Sequence, residues 1–235
     1  MIDGIRLDTQ SGSGGATCQS IPAQQIERIE ILRGPAAAIY GSDAIAGVIQ
    51  VFTKSGQAGF QPSVGFGVGS RDTRTATAGL LGGHEGWRYA LSLGRETSDG
   101  YNIQPAANPD PDGYTRDTAT LRLGRDLAAG HRLEGTWVYT DADAGYDSTT
   151  ASSNVDYAKD NRSVQKLNAL GLTWSAKWSD VWSSMVGLTQ AQDHYQTLPS
   201  PGAAPGYDTD TTIQTALWNN TLRWRDAIWT LGLEG

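Results

Sequence analysis

The chain of 235 residues contains one Cys, two Met and three Phe. A single Cys excludes an internal disulfide scaffold and any Cys-rich zinc module. Basic residues are also few: 18 Lys plus Arg stand against 25 Asp plus Glu, for a formal net charge of −7. Nucleic-acid binding draws on clustered Lys and Arg, so this balance argues against such a partner. No apolar run approaches the roughly 18 residues of a membrane-spanning helix. No H-E-x-x-H, G-x-S-x-G or suitably spaced Cys/His pair is present, and the sequence offers no enzyme. Cys18 reads as a lone small residue, and His84, His131 and His194 as isolated surface or turn residues. Only 38% of residues are hydrophobic and 18% charged, which is little apolar material for a packed soluble core of this length.

What the chain does have is Gly, Trp and Tyr: 29, 8 and 9 residues respectively. Gly is about 12% of the chain against an average of about 7%. That composition fits many strands that are wet on one face. The GFGVG run at 65–69 lies inside such a strand pattern with no helix after it, so it is not a dinucleotide-binding loop.

Two regions differ in pattern. Residues 1–56 read as mixed structure. SGSGG at 11–15 is a flexible loop, and Pro22 opens a short helix near 22–26. Ile29–Leu32 is a strand, GSDAIAG a turn and short helix, and VIQVFTK at 48–54 a second, β-branched strand. From residue 62 onward, alternation with period 2 takes over. Trp87, Tyr89, Leu91 and Leu93 oppose Arg88, Ala90, Ser92 and Gly94. Leu170, Leu172, Trp174 and Ala176 oppose Ala169, Gly171, Thr173 and Ser175. Nine such segments are predicted, near 62–70, 72–82, 87–97, 115–125, 131–141, 163–178, 181–193, 211–225 and 227–235.

Short connections (near 83–86, 126–130, 179–180 and 226) alternate with long ones (98–114, 142–162 and 194–210). That is the pattern of an up-and-down meander with one functional rim. In outer-membrane barrels the short turns face the periplasm and the long loops face outside. Trp178 and Trp182 flank one short turn and Trp224 and Trp229 another, as a membrane-interface girdle requires. Strands of ten to fifteen residues exceed the soluble mode of about 5–6 and match the 9–11 needed to cross a bilayer. The alternative reading is a soluble β-sandwich with Trp at its ends.

The stretch IERIEILRGPAAAIYGSDAIAGVIQVFTK, residues 26–54, resembles the end of the plug domain of TonB-dependent outer-membrane receptors. The matching residues are Glu27-Arg28-Ile29-Glu30, Leu32-Arg33-Gly34-Pro35 and Tyr40-Gly41-Ser42-Asp43-Ala44-Ile45. Ala46 replaces the family's usual Gly, and Gln50 its usual Asn; IDGIRL at 2–7 also fits. The resemblance implies an all-β dominated fold. It is a partial transmembrane antiparallel β-barrel, about nine strands of a plugged barrel of about 22, joined to the C-terminal part of an α+β plug. The expected domains are 1–56, plug, and 57–235, first part of the barrel. Met1 leads directly into IDGIRLD without a signal peptide, and LGLEG ends within an alternating run, so both ends read as cut and the chain as a fragment. Nine strands cannot close around a plug, so the chain alone is expected neither to transport nor to form a closed monomer.

Two acidic segments stand on the same rim. One runs from Tyr101-Asn102 to Asn108-Pro109-Asp110-Pro111-Asp112-Gly113, the other from Asp141 through Tyr146-Asp147 to Asp156. Ca²⁺ takes six to eight oxygens from such loops; a D-x-D-G alone is equally a solvated turn. The pair is similar to that of the vitamin B12 (cobalamin) receptors of the family, in which calcium orders two extracellular loops over the substrate. The resemblance implies calcium ligands at Asn108, Asp110, Asp112, Tyr146, Asp147 and Asp156, with Asn102 where the family has an Asp. It implies substrate contacts at Gly12 and Ser13 in the plug apex, and at Ser148 and Thr212. SGSGG is equally a linker. The implied partners are cobalamin or a related corrinoid, TonB through an N-terminal box, and outer-membrane lipid. A siderophore or other metal-chelate receptor of the same fold, and a non-transporting structural or adhesive β-domain, are the rival readings. The plug charges Glu27, Arg28, Glu30 and Arg33 are expected to pair with each other or with the wall. They would let the plug move without leaving a greasy interface.

Overall fold

The computed structural model describes residues 1–7, 21–35, 44–102, 111–147, 161–199 and 205–235. Among these there is no α-helix. The short helix expected after Pro22 is a single 3-10 turn, Ala23–Gln25. Strand β1 (Ile26–Arg33) pairs antiparallel with β2 (Gly47–Thr53), setting Ile31 opposite Ile49. Of the helix expected at GSDAIAG, the described residues 44–46 form none; they bend straight into β2. Gly47 makes that entry possible. Its φ is 149°, and a Cβ there would lie 2.4 Å from the Leu32 carbonyl oxygen, so a residue with a side chain would have to shift the chain.

The remaining strands are β3 (Gly59–Val68), β4 (Arg74–His84), β5 (Trp87–Tyr101), β6 (Asp112–Ala128), β7 (His131–Tyr146), β8 (Asn161–Lys177), β9 (Trp182–Leu198), β10 (Tyr207–Trp224) and β11 (Ala227–Glu234). They form one nine-stranded antiparallel sheet in sequence order, with β3 and β11 at its edges. All nine segments read from alternation are strands, and several run further toward the long connections. β7 continues to Tyr146 and β10 starts at Tyr207. Asp143, which fell in the predicted connection 142–162, is therefore a strand residue opposite Val164 and ion-paired with Arg162, while Asp141 lies opposite Lys166. Above an apolar band both faces of a strand are polar. The alternation that reveals the strand vanishes there, although the ladder hydrogen bonds continue.

Register assigns the faces. Val138, Ala169 and Ala191 lie in one cross-strand row and pack against Ile2, Ile5, Ile21 and Val51 of the N-terminal region. Residues at period 2 from that row face inward, toward this region. The opposite face carries Val64, Phe66, Leu91, Leu93, Leu121, Trp137, Leu170, Leu172, Leu188 and Trp218. Burial therefore runs against size: Ala169 is fully buried, whereas Phe66 is 87% exposed. In water an outward band of this kind would be unfavourable by about 25 cal/mol per Å². Hydrocarbon removes that cost.

The short-turn end carries the aromatic girdle. His131 stacks on Trp174 at 5.9 Å, and Trp178 meets His131, Trp174 and Trp182 at 5.1, 5.8 and 5.6 Å. The indole N–H groups of Trp178 and Trp182 donate to Ser184 Oγ (2.9 Å) and Asn220 Oδ1 (3.2 Å). Rings with one polar handle are suited to the boundary between hydrocarbon and water.

Candidate ligand rim and plug contact

At the long-connection end, the ends of β6 and β7 carry part of the acid set. Tyr114 opposite Ala144 is the last pair of this ladder, and Asp112 and Tyr146 each lie two residues beyond it. A Cβ on Gly145 would lie 3.3 Å from Asp112 Cα, so the two strand ends approach closely here. Asp147 follows directly and is buried, and the Oδ2 atoms of Asp112 and Asp147 are both shielded from solvent. Asp112 also pairs with Tyr101, so Asn102 borders the same corner. The Arg71 guanidinium lies over the Tyr101 ring, 4.5 Å from its centre. An open cleft of 520 Å³ beside this corner is lined by Asp72, Arg74, Asp99, Tyr114, Asp143 and Arg162 among others.

The donors at this corner are all oxygens, carboxylate with carbonyl or phenol. That chemistry fits a hard cation such as Ca²⁺ and not a thiolate-seeking metal. Asn108, Asp110 and Asp156, the other three expected ligands, lie outside the described residues. So do Gly12, Ser13 and Ser148 of the expected substrate contacts. Thr212 is described. It pairs with Gln192 one residue away from the inward Ile213–Ala191 pair, so it sits on the outward face.

A second set of donors was not legible as a motif. His194 Nδ1 lies 2.7 Å from Asp210 Oδ1 and 3.7 Å from Asp208 Oδ1, on the outward face of β9 and β10. A His–Asp hydrogen bond accounts for this geometry.

Inward polar groups missed by sequence reasoning line the wall below the rim. Glu96 accepts hydrogen bonds from the Tyr114 hydroxyl and from Arg116 Nη2, the latter at 2.7 Å. Gln165 Nε2 donates to Asp193 Oδ1 at 3.0 Å, both residues being buried. Tyr195 and Tyr207 meet edge-on, 6.0 Å between centres. The signal that finds them is negative: they are the polar residues alternating with the outward apolar ones, once the face is known.

The contact between the N-terminal region and the wall has an apolar centre and polar flanks. Ile5 lies against Gly171, where a Cβ would meet its side chain at 3.0 Å. On one flank Gln25 donates to Thr118 Oγ1 at 3.1 Å, and Arg122 reaches Asp3 and Thr53. On the other, Arg6 lies 3.9 Å from Glu234. The four plug charges pair only locally where partners are seen. Arg28 bonds Glu30 at 2.7 Å and covers Phe52, and Glu27 accepts from Ser55. The expectation of a contact free of grease is corrected. Ile2 and Ile5 are almost wholly buried against small wall residues, because Ala and Gly let an isoleucine approach the ladder.

An antiparallel wall with an aromatic girdle at its short turns, over which an N-terminal two-stranded unit packs, fits one comparison with known proteins closely. Residues 1–48 match the family model described as TonB-dependent Receptor Plug Domain. The chain resembles TonB-dependent receptors of the vitamin B12 transporter type. It is 29% identical over 236 residues to the vitamin B12 transporter BtuB of Vibrio vulnificus, covering 89% of this chain and 38% of that one. It is 27% identical to BtuB of Vibrio cholerae serotype O1, covering 98% and 37%. Among solved structures, the ferric yersiniabactin uptake receptor FyuA of Yersinia pestis superposes with a TM-score of 0.75 at 18% identity, covering 100% and 38%. The siderophore receptor PiuA of Acinetobacter baumannii gives 0.72 at 14%, covering 99% and 37%. The chain thus spans under two fifths of the relatives it matches. The sheet is part of an outer-membrane β-barrel, and its outward band faces lipid.

Proposed function

We propose that this chain is part of a receptor for TonB-dependent active uptake of cobalamin or a related corrinoid, with calcium ordering the loops that cover the substrate. Residues 1–56 would form the end of the plug and 57–235 the first part of the barrel. The observations that support the cargo reading are the approach of the β6 start to the β7 end, where Gly145 lies against Asp112, and the solvent-shielded carboxylate oxygens of Asp112 and Asp147. The reading is also supported by relatives named as vitamin B12 transporters over nearly the whole chain. The solved receptors named for siderophores share the fold at under 20% identity, and a common fold does not choose a cargo.

In this reading Asp112 and Asp147 would supply carboxylate oxygens and Tyr146 a further oxygen. A bound divalent cation would tie the ends of β6 and β7 into one rigid edge. The wall's inward residues then present hydrogen-bonding groups, among them Glu96, Tyr114 and Arg116, to a large polar-rimmed ligand. Energy for release arrives through TonB acting on the plug.

The test is equilibrium binding of cobalamin to the complete receptor in detergent, with calcium and with a chelator. Chelation is expected to weaken binding at least tenfold, and Asp147→Asn to reproduce the loss with calcium present. Tight binding that ignores both would remove calcium from the reading. Absence of cobalamin binding, with a ferric chelate bound instead, would transfer the protein to the siderophore class.

A further inference from the structure

We propose that Arg122 of the wall is a positioning residue that pins the plug at the exit of its two-stranded sheet, and that Asp3 and Thr53 are the groups it holds. The inference rests on the receptor reading above for its biological meaning, though not for its geometry. Arg122 lies on the inward face of β6, two residues from Thr120, which pairs with Val138 of the buried row. Its Nη1 donates to the Thr53 carbonyl oxygen at 3.2 Å and to Asp3 Oδ1 at 3.4 Å. Its Nε donates to Glu134 Oε1 at 2.8 Å. One guanidinium therefore joins three separated parts of the chain.

The geometry is specific on the plug side. The Asp3 side chain is only 3% exposed. It also accepts from the Thr53 backbone N–H at 3.0 Å and from Thr53 Oγ1 at 2.5 Å. Thr53 is the last residue of β2, and its side chain is buried. The joint thus clamps the N-terminal segment to the exit of the plug sheet, then both to the wall. Only five residues separate Thr53 from β3. On the wall side Glu134 is held in turn by Arg132 at 2.9 Å, so the guanidinium docks on a carboxylate that is already oriented.

A fork-shaped, permanently charged group is required for this. Lys has one compact point charge and cannot serve a carbonyl and two carboxylates in one plane. Removing the guanidinium leaves the Asp3 carboxylate buried without its counter-charge, which is the expensive way to break such a pair. The joint differs in kind from the Ile2–Ile5 patch beside it. Apolar contact is tolerant of sliding, whereas this cluster has one geometry. It sets which position the plug rests in and how readily it leaves.

The test follows plug undocking by thiol chemistry in the complete receptor in outer-membrane vesicles. A Cys18→Ser background carries Val51→Cys, whose side chain is buried in the plug–wall core. The readout is the labelling rate at position 51. Arg122→Ala is expected to speed labelling at least tenfold, Arg122→Lys to act nearly as strongly, and Asp3→Asn to act similarly. The Arg122→Ala/Asp3→Asn double variant should label no faster than the faster single variant, since both break one joint. The heat-modifiable mobility of the barrel should stay unchanged throughout. Unchanged labelling in Arg122→Ala, additive effects in the double variant, or unchanged labelling in Arg122→Lys would each overturn the proposal. Should Arg122→Ala fail to insert, Asp3→Asn alone decides by the same readout. Labelling does not depend on cargo, so a failure of cobalamin binding leaves this result standing, and the reverse also holds.

Discussion

The two faces of the wall obey opposite rules. Inward, the residues are small or polar and closely covered: Ala169 and Ala191 are buried, and Gly171 admits Ile5 to the ladder. Outward, they are large, apolar and uncovered by protein, as with Leu172, Leu188 and Trp218. In a soluble domain such burial would be inverted. Here the solvent changes from one face to the other, and each face suits its own. The small inward residues also decide how close the N-terminal unit can come to the wall.

Charge placed on the outward face is the strongest way to break this contrast. Leu172→Arg is expected to destabilise the barrel by about 2–4 kcal/mol in lipid vesicles, by urea unfolding, if it lies near the membrane midplane. A neutral result in lipid would mean that this face does not meet hydrocarbon. Bulk on the inward face acts on a different object. Gly171→Val adds atoms where Ile5 already touches, and overpacking of this kind costs about 1–3 kcal/mol. It should loosen the plug while leaving the barrel intact, seen as faster proteolysis of the N-terminal segment with unchanged electrophoretic mobility. Loss of the barrel instead would show that the wall, not the plug, depends on that glycine.

Smaller effects sharpen the boundary between band and rim. Asp143 and Arg162 form an outward ion pair above the apolar band, partly exposed, so Asp143→Asn should change stability by no more than about 1 kcal/mol. A large loss would place this pair within the hydrocarbon. The smallest effect belongs to the turn after β8. Lys177 holds the exposed Asp180 carboxyl below its usual value, chiefly through their 2.7 Å hydrogen bond. A lowered value in the folded state means the contribution is present above the ordinary carboxylate range and is lost as pH falls through the lowered value. With both groups solvated, Asp180→Asn should leave the unfolding midpoint unmoved at neutral pH. A clear shift there would make this turn part of the folding core.

Much of the architecture was legible because a bilayer enforces period 2 over long stretches. Trp87 to Leu93 and Leu170 to Trp174 show it without help. Legibility ended where the membrane ends. Residues 142–146 read as a loop because a solvated strand has no apolar face to betray it, yet they sit in β7. GSDAIAG read as a turn and short helix, whereas its described residues 44–46 bend into β2 at Gly47. Of the expected site, Asp112, Tyr146 and Asp147 lie at the rim ends of β6 and β7, while Thr212 is on the outward face. Parity along β10 decides that, and parity can be counted only after the register is known.

The sequence by itself determined the strands, their order of short and long connections, the aromatic girdle and the plug motif. These follow from local patterns: alternation, amphipathic rings at turns and a long contiguous match. Only the tertiary structure decided which face is inside, that Ile5 rests on Gly171, and that Arg122 meets Asp3, 119 positions away. Such contacts depend on the stagger between strands and on how the plug sits against them. No spacing within a strand encodes either, because each is set by packing between segments far apart in the chain.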